Sequence, residues 1–307
     1  MIFRLFAKVL LLAVIMFLVE SGLGDLLKIG LDRYDGLDRK PDILCIGNSQ
    51  TISGIDENRL ALGLGVPVTK FARNGVNIFE RNIMVVDFFK QPTRRPQVVI
   101  YDVNPELFLN QRMRENSYTR FFPYMDTPEV ADYLKTKCSD KTEFITRKYI
   151  KLLRYNNPWL VRCSIKGHLR IHDSFTYSKI NYVQAEAKAK PLRSNAVDFD
   201  IRNYNCFIET IRFLRSKEVK VVLLYIPTLD LYNRHHEEEG QFVESTLLSL
   251  AAKDNGILFL NYSKRYQSVH EYFSDFEHVN RDGQIRVTDD LINDISPFIV
   301  NNRNTGL

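Results

Sequence analysis

Five short apolar runs separated by helical patterns limit the folds open to this chain more than any other feature. The runs are Ile43–Ile46, Val66–Phe71, Val98–Val103, Val219–Ile226 and Ile257–Leu260. Three of them are nearly continuous in apolarity and rich in β-branched residues, as is typical of parallel strands buried on both faces. The alternation predicts a doubly wound α/β sheet. We expect a three-layer sandwich whose five-stranded parallel sheet has the order 2-1-3-4-5, one of the two common orders of such folds.

The intervening segments carry helical signals. Asp56 is a candidate N-cap, and apolar residues recur at helical spacing in the segments Ile78–Phe89, Tyr204–Arg215, Phe242–Ala252 and from about Gly283 to Ile299. The chain has 307 residues, of which 45% are hydrophobic and 26% charged. This composition excludes a disordered or coiled-coil protein and allows one large domain or two modest ones.

One long segment interrupts the regular spacing, because more than 110 residues separate the third strand from the fourth. Residues 107–200 hold 17 Lys and Arg against 10 Asp and Glu, so this segment accounts for the whole net charge of +5. Helical patterns at Pro128–Lys135 and Glu143–Tyr155 predict a mostly helical insertion that acts as a lid or partner surface. Its charge, with Lys148, Lys151 and Arg154 as the expected contributors, favours anionic envelope polymers, lipid headgroups or an acidic partner.

Residues 1–27 form a candidate targeting segment. Arg4 and Lys8 precede an unbroken apolar run, Val9–Val19, which is the pattern of a secretory signal. Three interpretations are open, namely an uncleaved signal anchor, a cleaved signal peptide and a buried core helix. The first two place the body of the protein, residues 40–300, on the extracytoplasmic side of a membrane, in the periplasm or on the outer face of the plasma membrane.

Three residues suited to nucleophilic catalysis follow strands. Ser49 comes just after the first strand, while Asp275 and His278 lie between the fifth strand and the final helix. The carboxyl ends of parallel strands meet at one edge, so the three side chains are expected to lie together. A carboxylate three residues before a histidine can orient the imidazole, which then accepts the serine proton. The alternative is a histidine that caps the final helix, with Asp275 bonded to local backbone.

Candidate oxyanion donors follow the second and third strands. Asn74-Gly75 comes after the second strand, and a glycine offers an unobstructed N–H. Asn104 comes directly after the third strand, where its side-chain amide can supply another donor. Asn-Gly and Asn-Pro are also ordinary turn pairs, so a purely structural role stays open for all three residues.

Taken together, these residues resemble the SGNH (GDSL-like) hydrolase superfamily. The match comprises Gly47-Asn48-Ser49, Gly75, Asn104, Asp275 and His278, and it spans about residues 42 to 299 apart from the insertion. The resemblance implies serine-dependent acyl-ester chemistry without a cofactor, in which water as acceptor makes an esterase and a sugar hydroxyl makes an O-acyltransferase. A catalytically inactive scaffold with the same fold is the alternative.

The sequence departs from the superfamily pattern in two places. Asn48 stands where the family signature has aspartate, and Val103-Asn104-Pro105-Glu106 replaces the usual Gly-x-Asn-Asp. The N-terminal segment and the ending of strand three resemble a membrane-anchored branch that includes DltD-like and alginate O-acetylation proteins. That branch implies an acylated cell-envelope glycan or glycopolymer as substrate and a membrane-bound O-acyltransferase as partner.

Other chemistry-bearing residues point to structural roles. His235-His236 precedes three glutamates, but adjacent histidines point in different directions, so a solvated loop or helix start is expected rather than a metal site. Trp159 is interpreted as a core residue rather than a sugar-stacking one. Cys45 is expected to be buried, while the other three cysteines either bridge or remain thiols. No nucleic-acid-binding module is present in the sequence.

Overall fold

The computed structural model describes residues 2–91, 93–109, 117–138, 140–171, 175–188 and 199–300. Parts of the predicted insertion, at 110–116, 139, 172–174 and 189–198, therefore lie outside the described residues. The chain divides into two units. The first combines Met1–Asp38 with Arg114–His172, and the second combines Arg39–Met113 with Asp173–Leu307. The middle of the insertion is thus grouped with the N-terminal segment.

The second unit contains a five-stranded, all-parallel sheet with the order β2-β1-β3-β4-β5, which confirms the predicted fold class. The strands are β1 (Ile43–Gly47), β2 (Val68–Ala72), β3 (Val98–Val103), β4 (Lys220–Tyr225) and β5 (Ile257–Asn261). Strand β2 begins two residues later than the apolar run, after Pro67, whose carbonyl accepts from the N–H groups of Asp42 and Ile43. Proline has no N–H to donate to a ladder, so it suits a position just before the strand.

Twelve α-helices occur in the described residues. They are α1 (Ile2–Tyr34), α2 (Ser49–Gly54), α3 (Glu57–Leu64), α4 (Ile78–Phe89), α5 (Pro128–Lys137), α6 (Lys141–Tyr149), α7 (Pro158–Leu169), α8 (Tyr182–Lys188), α9 (Ile201–Ser216), α10 (Asp230–His235), α11 (Glu237–Lys253) and α12 (Arg281–Val300). Short 3-10 helices span Pro105–Phe108, Ser117–Tyr124, Lys151–Tyr155 and His270–Tyr272. Asp56 caps α3 as predicted, because its side chain accepts from the N–H of Arg59 at 3.1 Å.

Helices cover both faces of the sheet in the second unit. Alternate strand residues such as Ile43, Val98 and Val222 join one buried cluster with Leu60 of α3 and Leu291 of α12. Residues between them point to the opposite face, since side chains alternate along a strand. There the ring of Tyr101 in β3 packs 5.8 Å from Phe207 of α9. This double covering explains why the strands read as continuous apolar runs.

In the first unit, helix α1 packs closely on α7. A Cβ atom added at Gly30 would lie 2.5 Å from the hydroxyl of Ser164, and one added at Gly167 would collide with the backbone of Gly30. Glycine is therefore required on both helices at this crossing. Trp159 is half-buried near the start of α7, where it packs edge-to-face with Tyr34 at 6.4 Å. It contributes to packing at the edge of the unit and is not fully buried, as a core residue would be.

The predicted helix Glu143–Tyr155 is broken. Ile150 has an extended backbone, with φ −113° and ψ 100°, and separates α6 from the 3-10 helix Lys151–Tyr155. Two residues expected to present positive charge are engaged instead. Lys151 pairs with Asp25 at 2.6 Å, and the buried Arg154 binds both carboxylate oxygens of Asp126 at 2.7 and 2.9 Å. Both positive charges are thus paired with carboxylates within the first unit, and the arginine pair is bidentate.

Helix α1 is long and apolar enough to cross a membrane: its most apolar stretch of 18 residues has a mean hydropathy of 2.6, and none of that stretch is buried. A membrane anchor and a signal sequence both meet this description. All four cysteines are present as thiols. Cys45 lies in β1 and is fully buried as expected, and this burial raises the pKa of its thiol to about 12.

Candidate active site

Ser49 is the first residue of α2, immediately beyond the carboxyl end of β1. Asn48 is the N-cap of this helix, since its side chain accepts from the N–H of Gln50 at 2.8 Å. Asn48 thus performs a capping role that an aspartate at this position could also fill. The turn needs Gly47, because a Cβ atom there would lie 2.7 Å from Cβ of Asp102. Local sequence therefore places the serine at the N-terminus of a helix, half-buried at the edge of the sheet.

His278 reaches Ser49 across 229 residues of chain. Its Nε2 lies 2.7 Å from the serine Oγ, and its Nδ1 lies 2.9 Å from both carboxylate oxygens of Asp275. A carboxylate at Nδ1 favours the tautomer that carries hydrogen there, which leaves the Nε2 lone pair facing the serine hydroxyl. The three residues selected from the sequence are thus joined in one hydrogen-bonded chain.

Asp275 holds the loop as well as the imidazole. Its Oδ1 accepts the main-chain N–H groups of Glu277 and His278, each at 2.9 Å. Burial raises the pKa of Asp275, but the hydrogen bonds from His278 and from these N–H groups outweigh burial, so the net pKa is lowered. The side chain, 54% exposed, is therefore ionised at neutral pH. The local-backbone role considered from the sequence coexists with the contact to His278.

The residue that caps the final helix is Asn280 rather than His278. Its Oδ1 accepts the N–H groups of Asp282 and Gly283 at 3.1 and 3.2 Å, and its Nδ2 donates to the carbonyl of Glu271 at 2.6 Å. Gly283 allows this close approach, since a Cβ atom there would lie 2.5 Å from the carbonyl oxygen of Tyr272. The cap fixes where α12 begins, and so fixes the loop that carries the histidine.

The predicted oxyanion donors lie after the strands next to β1. Asn74 and Gly75 follow β2, and Gly75 adopts the left-handed conformation with φ 69°, which glycine adopts without strain. Asn104 follows β3, is buried, and donates from Nδ2 to Oε1 of Gln50 at 3.3 Å. Ser49, as the first residue of α2, has an N–H that no intrahelical carbonyl can accept. Backbone and amide donors thus follow three adjacent strands.

Gln50 is a site residue that sequence reasoning missed. It is 2% exposed, follows Ser49 directly, and pairs with Asn104. Within the described residues, its Nε2 and the Oδ1 of Asn104 are buried without a hydrogen-bond partner. Buried amide groups of this kind are normally satisfied by protein, water or a ligand. The sequence shows a glutamine next to the candidate nucleophile, but only the fold reveals that its side chain is buried.

A buried carboxylate supports the turn from below. Oδ2 of Asp102, in β3, accepts from the hydroxyl of Thr51 at 3.0 Å and from the N–H of Asn48 at 3.3 Å. Burial raises the pKa of Asp102, while the nearby Arg81 guanidinium opposes that rise. These bonds tie the nucleophile turn to the neighbouring strand.

The far end of α2 is held by two side chains. Nζ of Lys70 donates to the carbonyls of Ile52 and Ile55 at 3.0 and 2.6 Å, and Nε2 of Gln284 donates to the same two oxygens at 3.2 and 3.4 Å. Burial lowers the pKa of Lys70 to about 8, although the carboxylate of Glu57 opposes this shift. Since α2 has only six residues, fixing its last turn also fixes Ser49 in its first turn.

The other sequence candidates lie outside this arrangement. His235 ends α10 and His236 precedes α11, so of the two expected forms, a solvated loop or a helix start, the structure has the helix start. Nε2 of His236 lies 3.7 Å from a carboxylate oxygen of Glu106. In the part of the chain that the structure describes, no three His, Cys, Asp or Glu residues cluster in a way that could hold a metal ion.

Comparisons with known proteins find structural similarity alone. The chain matches no family model and no curated protein. One similar solved structure is a protein from Desulfitobacterium hafniense DCB-2 named for the G-D-S-L family of lipolytic proteins, with 9% identity and a TM-score of 0.42 over 82% of this chain and 97% of that one. Another, from Bacteroides fragilis NCTC 9343, is named for acylhydrolase activity, with 13% identity and a TM-score of 0.42 over 87% and 98%.

Proposed function

We propose that this chain is a serine-dependent acyl-ester hydrolase or O-acyltransferase of the SGNH type, with Ser49 as nucleophile, His278 as base and Asp275 as its orienting carboxylate. The observation that carries the proposal is the hydrogen-bonded chain from Ser49 Oγ to His278 Nε2 at 2.7 Å and from His278 Nδ1 to Asp275 at 2.9 Å. A nucleophile within hydrogen-bond reach of an oriented base is the geometric signature of covalent acyl transfer.

The reaction proceeds in two halves. Ser49 Oγ attacks the ester carbonyl while its proton passes to Nε2 of His278, and the ionised Asp275 stabilises the resulting imidazolium. The negative charge that develops on the carbonyl oxygen is stabilised by the N–H groups of Ser49 and Gly75, with the amide of Asn104 as a further donor. His278 then returns the proton to the leaving alcohol, and the acyl group stays on Ser49. Water or a sugar hydroxyl completes the cycle by attacking the acyl-serine, with His278 again taking the proton.

We further propose that the substrate is an acylated cell-envelope glycan or glycopolymer. A cavity of about 370 Å³ lies beside the carboxyl ends of β4 and β5, and the described residues that line it do not include Ser49, Asp275 or His278. Its lining combines charged side chains with polar ones such as Asn233, Ser263 and Gln267, and such groups suit hydroxyl-rich ligands better than a fatty acyl chain. The apolar α1 supports attachment to a membrane, with the catalytic unit on its extracytoplasmic side. We also propose that the chain is of the DltD-like, membrane-anchored kind and has a membrane-bound O-acyltransferase as partner.

Fluorophosphonate labelling of the purified chain tests the nucleophile. We expect labelling of the wild type and at least a 10³-fold loss of esterase activity on p-nitrophenyl acetate in Ser49→Ala, on the order of magnitude seen when a nucleophile is removed. Ser53→Ala is the matched control, because Ser53 belongs to the same helix and its hydroxyl donates to the carbonyl of Gln50 at 3.3 Å rather than to His278. Adding a soluble oligosaccharide and following its mass separates acyl transfer from hydrolysis. A folded wild type that is not labelled, or a Ser49→Ala variant labelled equally well, would establish the inactive-scaffold alternative instead.

A further inference from the structure

Helix α1 has two parts with different surroundings. From Ile2 to Val19 every described residue is exposed, whereas from Gly24 onward the helix packs within the first unit. The exposed part has 18 residues, which span about 27 Å as a helix, close to the thickness of a bilayer's hydrocarbon core. Glu20 follows directly, so this residue marks the level at which the span meets the polar interface.

The rest of the first unit is attached to α1 close to Glu20. A carboxylate oxygen of Glu20 accepts the N–H of Leu152 at 2.8 Å, and Lys151 pairs with Asp25 one turn further along. A Cβ atom added at Gly24 would lie 2.5 Å from Cβ of Lys151, so the two backbones are in close contact there. The 3-10 helix Lys151–Tyr155 is therefore fixed where the apolar span ends.

Four apolar side chains around this attachment are exposed. They are Ile145 at 53%, Tyr149 at 69%, Ile150 at 42% and Leu153 at 42%, and we call them the interfacial patch. Ile145 and Tyr149 are four residues apart and share one face of α6, while Phe144 and Arg147 on another face are buried. An exposed apolar face on a short helix is unfavourable in water unless another surface covers it. Lys148, also exposed, lies beside the patch and carries positive charge.

The patch is held rigidly. Nη1 of Arg147 donates to the carbonyl of Leu153, and Arg154 donates to the carbonyls of Arg147 and Lys148 at 2.9 and 3.0 Å. These bonds tie α6 to the following 3-10 helix, which is itself bonded to Glu20. The depth of the patch relative to α1 is consequently fixed by the fold.

We propose that the interfacial patch rests in the interface of the bilayer that α1 is proposed to cross, so that the first unit contacts the membrane through this patch as well as through α1. Tyrosine and aliphatic side chains beside a lysine match the composition of the membrane–water interface. The occupant follows from continuity, since the patch adjoins the 3-10 helix that is bonded to Glu20, directly after the apolar part of α1.

Tryptophan quenching by brominated lipids tests this placement. The full chain has a single tryptophan, so Trp159→Phe gives a silent parent into which Tyr149→Trp or Leu169→Trp is introduced. Leu169 is 64% exposed and ends α7, whose Gly167 abuts Gly30 of α1, ten residues and about 15 Å beyond Glu20. The two positions thus match in exposure and differ in expected depth.

Both variants are reconstituted in phosphatidylcholine vesicles containing phosphatidylglycerol, with lipids brominated near the upper part of the acyl chain. We expect about half or more of the Tyr149→Trp emission to be quenched and only about a tenth of the Leu169→Trp emission, because bromine quenches at short range and the interface is shallow. Flotation with the vesicles and an unchanged melting temperature establish insertion and folding. Equal quenching at the two positions overturns the proposal and leaves a protein partner as the covering, and a chain that does not float also overturns it. Neither outcome depends on the nucleophile assignment.

Discussion

The contribution of Asp275 gives the sharpest test of the proposed mechanism. Asp275→Asn keeps an oxygen that can accept the N–H groups of Glu277 and His278, so the loop retains its hydrogen bonds. It removes the negative charge beside Nδ1 of His278 and replaces one of the two oxygens that lie 2.9 Å from Nδ1 with an NH2 group. The substitution therefore separates the electrostatic role of Asp275 from its role in the backbone.

The expected loss follows from Coulomb's law. Charge centres about 4 Å apart interact by about 4 kcal/mol at an effective dielectric constant of about 20 and by about 1 kcal/mol in bulk water. Because the Asp275 side chain is 54% exposed, the interaction falls between these limits. About 2.7 kcal/mol corresponds to a 10²-fold decrease in kcat/KM, with little change in stability.

The assay is kcat/KM for p-nitrophenyl acetate, with melting temperature as the folding control. Glu277→Gln is the matched substitution, since Glu277 lies in the same loop and carries the same charge but interacts with His278 through electrostatics at longer range. We expect Glu277→Gln to stay within about twofold of the wild type. Asp275→Ala should lose melting temperature as well as activity, because two N–H groups lose their acceptor. An Asp275→Asn variant that keeps wild-type activity while Ser49→Ala is inactive would refute the orienting role.

Three further predictions concern stability. Because the pKa of Lys70 is lowered to about 8, the folded state holds this proton less tightly than the unfolded chain does. The free energy of unfolding should therefore rise by up to about 1.4 kcal/mol per pH unit between about pH 8 and pH 10.5. A series of melting curves for Lys70→Met that shows the same pH dependence as the wild type would contradict this. Gly30→Leu should lower unfolding free energy by about 3 kcal/mol by forcing α1 from α7, measured by melting, whereas Gly22→Leu, with open space around it, should not. Arg154→Met should cost about 2 kcal/mol because two carbonyls lose a buried donor, while Lys148→Met should be neutral, and equal melting temperatures would argue against this distinction.

Most of the sheet, and the polar site residues that follow the carboxyl ends of its strands, could be predicted from the sequence. Periodicity located the five strands to within two residues, because strands buried on both faces must be apolar along their whole length. The same logic placed Ser49 and the Asp275–His278 pair at one edge, because parallel strands all end on the same side. Ile150 escaped prediction, since an isolated extended residue between two helical turns leaves no periodic signal.

The sequence by itself determined the local chemistry of this protein: the capped turn that presents Ser49, the carboxylate three residues before His278, and the apolar segment that begins α1. Only the tertiary structure decided the 2.7 Å contact between Ser49 and His278, the support of α2 by Lys70 and Gln284, and the attachment of Leu152 to Glu20. Local features follow from steric and hydrogen-bonding preferences of neighbouring residues. The long-range contacts depend on strand register and helix packing, which the whole chain sets when it buries its core.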